Sequence, residues 1–174
     1  MSSQTPPPAP PATAVHSKTV TWSNPEVTAQ SSRDLPGIEF LSQWMRGERA
    51  GAPICELMGF KLTEVEEGGV VFASTPDESV YNPIGMVHGG MACTMLDSAA
   101  GCAVHTTLPA GVGYSSIEIK VNFLRPIHAH TGEIFARGRV TKAGKRVCFA
   151  ESDLRDAAGN VLATATSSCL IIPA

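Results

Sequence analysis

Gly89-Gly90-Met91-Ala92-Cys93-Thr94-Met95-Leu96-Asp97-Ser98-Ala99-Ala100-Gly101-Cys102-Ala103-Val104-His105 is rich in Ala and Met and lacks any period-two alternation. Its apolar groups fall on nearly all sides of a helical projection. That pattern predicts a helix buried all round. A membrane span is the competing reading. It is disfavoured by Asp97, since a carboxylate at a bilayer centre costs about 2.5–3.5 kcal/mol. The flanking segments also read as strands of a sheet. A helix this apolar must be wrapped by something, and the rest of the chain supplies strands.

On the C-terminal side the period changes from helix to strand at Gly113. Over 116–124, Ile117, Ile119, Val121 and Phe123 alternate with Ser116, Glu118, Lys120 and Asn122, which predicts one buried and one wetter face. Arg125-Pro126 ends the run. Strands are expected over 132–141, 146–155 and 161–172, joined by short Gly-containing links that favour antiparallel neighbours. On the N-terminal side, two Val-rich runs flank Glu66-Glu67-Gly68-Gly69, a hairpin signal. Ile38, Leu41, Trp44 and Met45 recur at helical spacing after Pro36-Gly37, and a brief helical piece follows over 54–58. The expected fold is α+β: an antiparallel sheet of about six strands curled around one long central helix, with an N-terminal helical extension.

Residues 1–36 hold seven of the thirteen prolines and four charged side chains. With no basic n-region and no apolar h-region, this is not a secretory signal. It reads as a disordered or polyproline-like tail, which leaves one domain over 37–174. The formal charge of −3 argues against a general nucleic-acid binder. Five scattered Cys form no CxxC and no Cys/His set with zinc spacing, so no metal is expected and a reducing cytoplasm is the simplest setting.

Three features exceed what the fold needs. His88-Gly89-Gly90 opens the central helix with two glycines, each about 1 kcal/mol worse than Ala inside a helix. The bare N–H groups there could polarise a carbonyl; a tight strand-to-helix turn capped by His88 explains the glycines equally well. Asp97 is the only acidic residue between Glu78 and Glu118, and a carboxylate in so apolar a run needs partners or a task. His88 and Asp97 are nine residues apart, about 13.5 Å of rise and on opposite faces of a helix. One small site could use both only if two chains related by a two-fold axis each supplied one. Arg125, Lys142, Lys145 and Arg146 cluster near strand ends, either as a solvated rim or as a phosphate clamp.

Tyr81-Asn82-Pro83-Ile84-Gly85-Met86-Val87-His88-Gly89-Gly90, Asp97 nine residues after the histidine, and Val121-Asn122-Phe123-Leu124-Arg125-Pro126 together resemble hotdog-fold acyl-CoA thioesterases, most closely the phenylacetic-acid-degradation type. The resemblance covers roughly 54–172. It implies a catalytic set of Asp97 as nucleophile or general base, the Gly89 N–H on the thioester carbonyl, Asn82 orienting water or thioester, His88 supporting the oxyanion side, and Ser116 positioning water. Ser115 is the alternative serine, and Gly90, Arg125, Lys145 and Arg146 would contact the substrate. It further implies a homodimer, expected to pair into a dimer of dimers (a homotetramer), with no metal and no cofactor beyond the coenzyme A of an acyl- or aryl-acyl-CoA substrate. No nucleic-acid or membrane partner is expected. The alternative is a non-catalytic acyl-CoA-binding module of the same fold.

Overall fold

The computed structural model describes residues 15–173. Four helices, α1 (Pro25–Asp34), α2 (Gly37–Met45), α3 (Pro53–Met58) and α4 (Gly89–Thr106), accompany six strands. These are β1 (Phe60–Glu66), β2 (Gly69–Ser74), β3 (Gly113–Phe123), β4 (Ile134–Lys142), β5 (Val147–Asp156) and β6 (Val161–Ile172). They form one antiparallel sheet in the order β1-β2-β4-β5-β6-β3. Helix α4 packs against all six strands. This is the hotdog arrangement expected from the sequence.

Two glycines let the helices sit close. A Cβ on Gly138 of β4 would lie 2.0 Å from the Ala99 carbonyl oxygen, so the middle of the sheet rests directly on the α4 backbone. A Cβ on Gly37 would lie 1.8 Å from the His105 carbonyl oxygen, and the Gly37 N–H donates to the Leu108 oxygen at 3.0 Å. That contact docks the start of α2 on the end of α4. The core between helix and sheet is built from Met91, Met95, Leu96 and Ala99 against Phe72, Ile134, Ala136 and Leu154. The β1–β2 hairpin turns at Glu67-Gly68, with Glu66 opposite Gly69.

Three expectations need correction. Residues 25–34, assigned from composition to the tail, form helix α1. Asn24 caps it by accepting the Glu26 N–H at 2.9 Å, and Pro25 takes the first turn, where its missing N–H is harmless. Residues 1–14 lie outside the described residues. Helix α4 is not buried all round either: Gly90 is exposed and Cys93, Thr94, Asp97 and Ser98 are half-buried, a continuous face at i, i+3/i+4 and i+7/i+8 spacing. Finally, the alternation over 116–124 is broken. The register of β3 against β6 shifts between Ser116 and Glu118, a bulge at Ile117. Ile117 is 56% exposed, whereas Ile119 and Val121 pack on the core.

Candidate active site

The bulge has a chemical consequence. Under strict alternation Ser116 and Ile119 would face opposite sides of the sheet. The extra residue puts Ser116 on the helix side of the sheet with Ile119, where it stays exposed and its hydroxyl donates to Asp97 Oδ1 at 2.8 Å. The serine and aspartate named from the sequence are thus brought together. Ser115 is exposed, and alternation sends its side chain to the other face. Asp97 is half-buried on the open face of α4, one residue after the fully buried Leu96. It borders the apolar lining of a cavity that also includes Phe40, Trp44 and Phe72.

Residues 81–88 form a tight loop that leads into the helix start, closed by a bridge between Tyr81 and Val87. The Asn82 side-chain oxygen accepts the N–H groups of Ile84 and Met86, both at 3.1 Å. With that oxygen committed to the loop, only its Nδ2 group is suited to donate to a ligand. The His88 N–H donates to the Val80 oxygen at 2.8 Å, and His88 Nδ1 accepts the Gly90 N–H at 2.8 Å. Nδ1 is therefore an acceptor and the ring proton sits on Nε2. His88 is the N-cap of α4, which takes the Gly90 N–H away from any ligand. Among the described residues the Gly89 N–H has no acceptor. A Cβ on Gly89 would meet the Phe123 ring at 3.0 Å, so the space beside this glycine is shared with an aromatic side chain.

Gly89 and Asp97 are eight residues apart, about 12 Å along the axis and some 80° around it. The distance along the axis, more than the facing, keeps them from sharing one thioester within a chain. The cations do not assemble either. Arg125 lies beside Asp156, whose carboxyl pKa it helps to lower after the stronger hydrogen bonds from Asn160. Lys145 and Arg146 precede the opposite end of β5, roughly 30 Å away at 3.3 Å per residue. Of the two readings of these cations, rim or clamp, a single clamp is not assembled within one protomer.

Sequence reasoning missed the cavity next to Asp97. It holds about 450 Å³ and lies between α1, α2, α3 and α4. Its lining includes Phe40, Trp44, Ile54, Phe72, Cys102 and Tyr114, with Asp97 and Ser116 on its wall. The only signal in the sequence was Asn24-Pro25, the cap and first turn of α1. Among the described residues no helix is long and apolar enough to cross a membrane, and no cluster of metal-ligating side chains occurs.

Comparison with known proteins agrees with this fold. Residues 84–163 match the thioesterase superfamily. Human acyl-coenzyme A thioesterase 13 is 30% identical over 59% of this chain and 72% of its own. A phenylacetic acid degradation-related protein of Ralstonia eutropha is 30% identical, covers 75% of this chain and 98% of its own, and superposes with a TM-score of 0.68. A Streptococcus mutans protein crystallised with acetyl CoA shares the fold with a TM-score of 0.61 at 20% identity, over 66% of this chain and 90% of its own. By fold and family, then, this is a hotdog thioester hydrolase. The chain belongs to the thioesterase superfamily.

Proposed function

We propose that the protein hydrolyses acyl-CoA thioesters to free acid and coenzyme A, in sites shared between two subunits. The observation that carries this is the Asp97–Ser116 pair on the one open face of α4, beside an apolar cavity. Asp97 acts as general base on water or as nucleophile at the thioester carbon. The Ser116 hydroxyl fixes the carboxylate, and the Gly89 N–H of the other subunit polarises the carbonyl oxygen. A thioester has a good leaving group, so one carboxylate and one preorganised donor suffice.

The dimer reading rests on two surfaces. Strand β3 stands at the edge of the sheet and pairs, among the described residues, only with β6. An eleven-residue edge carrying exposed Ile117 and Phe123 invites pairing with a second copy. The half-buried face of α4 borders that edge through the Asp97–Ser116 bond. Pairing β3 with its copy would lay two α4 helices side by side and bring Gly89 of one toward Asp97 of the other. Recognition of coenzyme A is consistent with the relatives named above, one called an acyl-coenzyme A thioesterase and one bound to acetyl CoA.

Asp97→Asn is nearly isosteric and still accepts the Ser116 hydrogen bond. It should fold normally and lose about 10²–10⁴-fold in kcat, read as release of coenzyme A thiol from a panel of acyl-CoAs. Undiminished turnover in the folded variant would overturn the assignment. Binding without thiol release by the unmodified protein would mean a non-catalytic module.

A further inference from the structure

Helix α1 buries none of its residues, yet it is not without a task. Pro25, Thr28, Ala29 and Ser32, at i, i+3, i+4 and i+7, form one stripe, and that stripe lines the cavity beside Asp97. Across from it, Asp97, Gly101 and His105 line the same cavity at i, i+4 and i+8 along α4. Eight residues of α-helix rise about 12 Å, so the cavity runs about that far from Asp97 to His105. Asp97 and Ser116 mark its wetter end; His105, 8% exposed and held between the Phe40 and Tyr114 rings, marks the drier one.

We propose that this cavity receives the acyl chain of the thioester and that α1 is the wall that sets which chain lengths fit. The inference rests on the thioester reading above. At ~1.3 Å of reach per carbon, from carbon–carbon bonds of about 1.5 Å, a 12 Å run suits an extended chain of eight to ten carbons. Phe40, Leu41, Trp44, Ile54 and Phe72 offer such a chain apolar contact and few hydrogen bonds to place a polar one. Because the α1 stripe supplies one wall of this run, the side chains on it set how far a bound chain can extend.

The test uses the full chain and saturated acyl-CoAs from acetyl to palmitoyl. In the unmodified protein kcat/KM should climb about three- to four-fold per methylene until the cavity is filled, near ten carbons, and then level or fall. Ala29→Phe and Ser32→Phe occupy the cavity from the α1 side. Each should move the break to shorter chains and lower the dodecanoyl-to-butyryl ratio at least about tenfold. The ratio within one variant is unaffected by loss of folded protein. A second readout needs no hydrolysis. With the exposed Trp22 replaced (Trp22→Phe), Trp44 is the remaining tryptophan and lines the cavity. Decanoate should change its fluorescence, and Ala29→Phe should weaken that binding about tenfold or more. Hydrolysis with an unmoved break in both variants overturns the inference and leaves the thioesterase reading standing. Decanoate binding at Trp44 without hydrolysis of any acyl-CoA supports the pocket and overturns the enzyme. If neither hydrolysis nor binding occurs, both are overturned.

Discussion

His105 shows the direction in which burial moves a side chain from its behaviour in water. Burial at the end of α4 pushes its pKa below the ordinary 6.5, against a weaker opposing effect of a backbone hydrogen bond at Ser32. The groups that face it are the Phe40 and Tyr114 rings and the Ser32 backbone, and none of them carries a charge at neutral pH. Between the lowered value and about 6.5 the unfolded chain holds the extra proton, so stability rises with pH there. This contribution is full above 6.5, falls as pH drops toward the lowered value, and is constant below it. Urea unfolding of the unmodified protein between pH 7.5 and 5 should therefore lose stability more steeply than that of His105→Gln. Parallel profiles would show that the imidazole does not titrate on unfolding. Burial also pushes the Cys55 and Cys102 thiols up to about 12, which keeps both protonated at neutral pH.

At the level of elements, α4 organises the molecule, and its distance from the sheet is set by Gly138. An added methyl there would meet the backbone oxygen of Ala99, which cannot move aside as a side-chain end can. Gly138→Ala should destabilise the fold by about 1–3 kcal/mol or more, seen as a lower urea midpoint with an unchanged slope. An unshifted midpoint would mean that α4 can stand off the sheet. The same helix carries both chemical groups at a fixed separation: the cap at His88 orients the first turn, and the bulge in β3 delivers Ser116 to the third. A ten-residue helix such as α1 is marginal alone, so it holds its place through α2, the edge of the cavity and the cap at Asn24.

For the whole molecule the decisive quantity is the distance of about 12 Å between Gly89 and Asp97, which makes each proposed site a joint product of two chains. Asp97→Asn subunits and subunits with a bulky residue at position 89 should each be inactive alone. In a mixed dimer one site receives both lesions and the other receives neither. Random exchange gives about half mixed dimers, so roughly a quarter of the original thiol release should return. No recovery, with exchange verified by native mass, would place both residues in one chain's site and remove the dimer argument.

The hotdog architecture was legible because it depends on periodicity. The apolar run of α4, the Glu67-Gly68 turn and the alternating C-terminal strands each carry a local period or turn signal that favours one type of element. Asp97 and the His88-Gly89-Gly90 start were legible for a different reason: each sacrifices local stability, and a lone sequence displays such a sacrifice openly. Ser116 was preferred to Ser115 through the family resemblance and not through periodicity, because a one-residue bulge reverses the facing of a strand without altering its composition. Nor could the chain alone show that Arg125 and Lys145-Arg146 stand at opposite ends of β5, since strand ends are neighbours only once the register is known. The cavity was out of reach for the same reason. Its walls come from four helices and two strands, each of which looks ordinary in the sequence, and only their packing leaves the space between them.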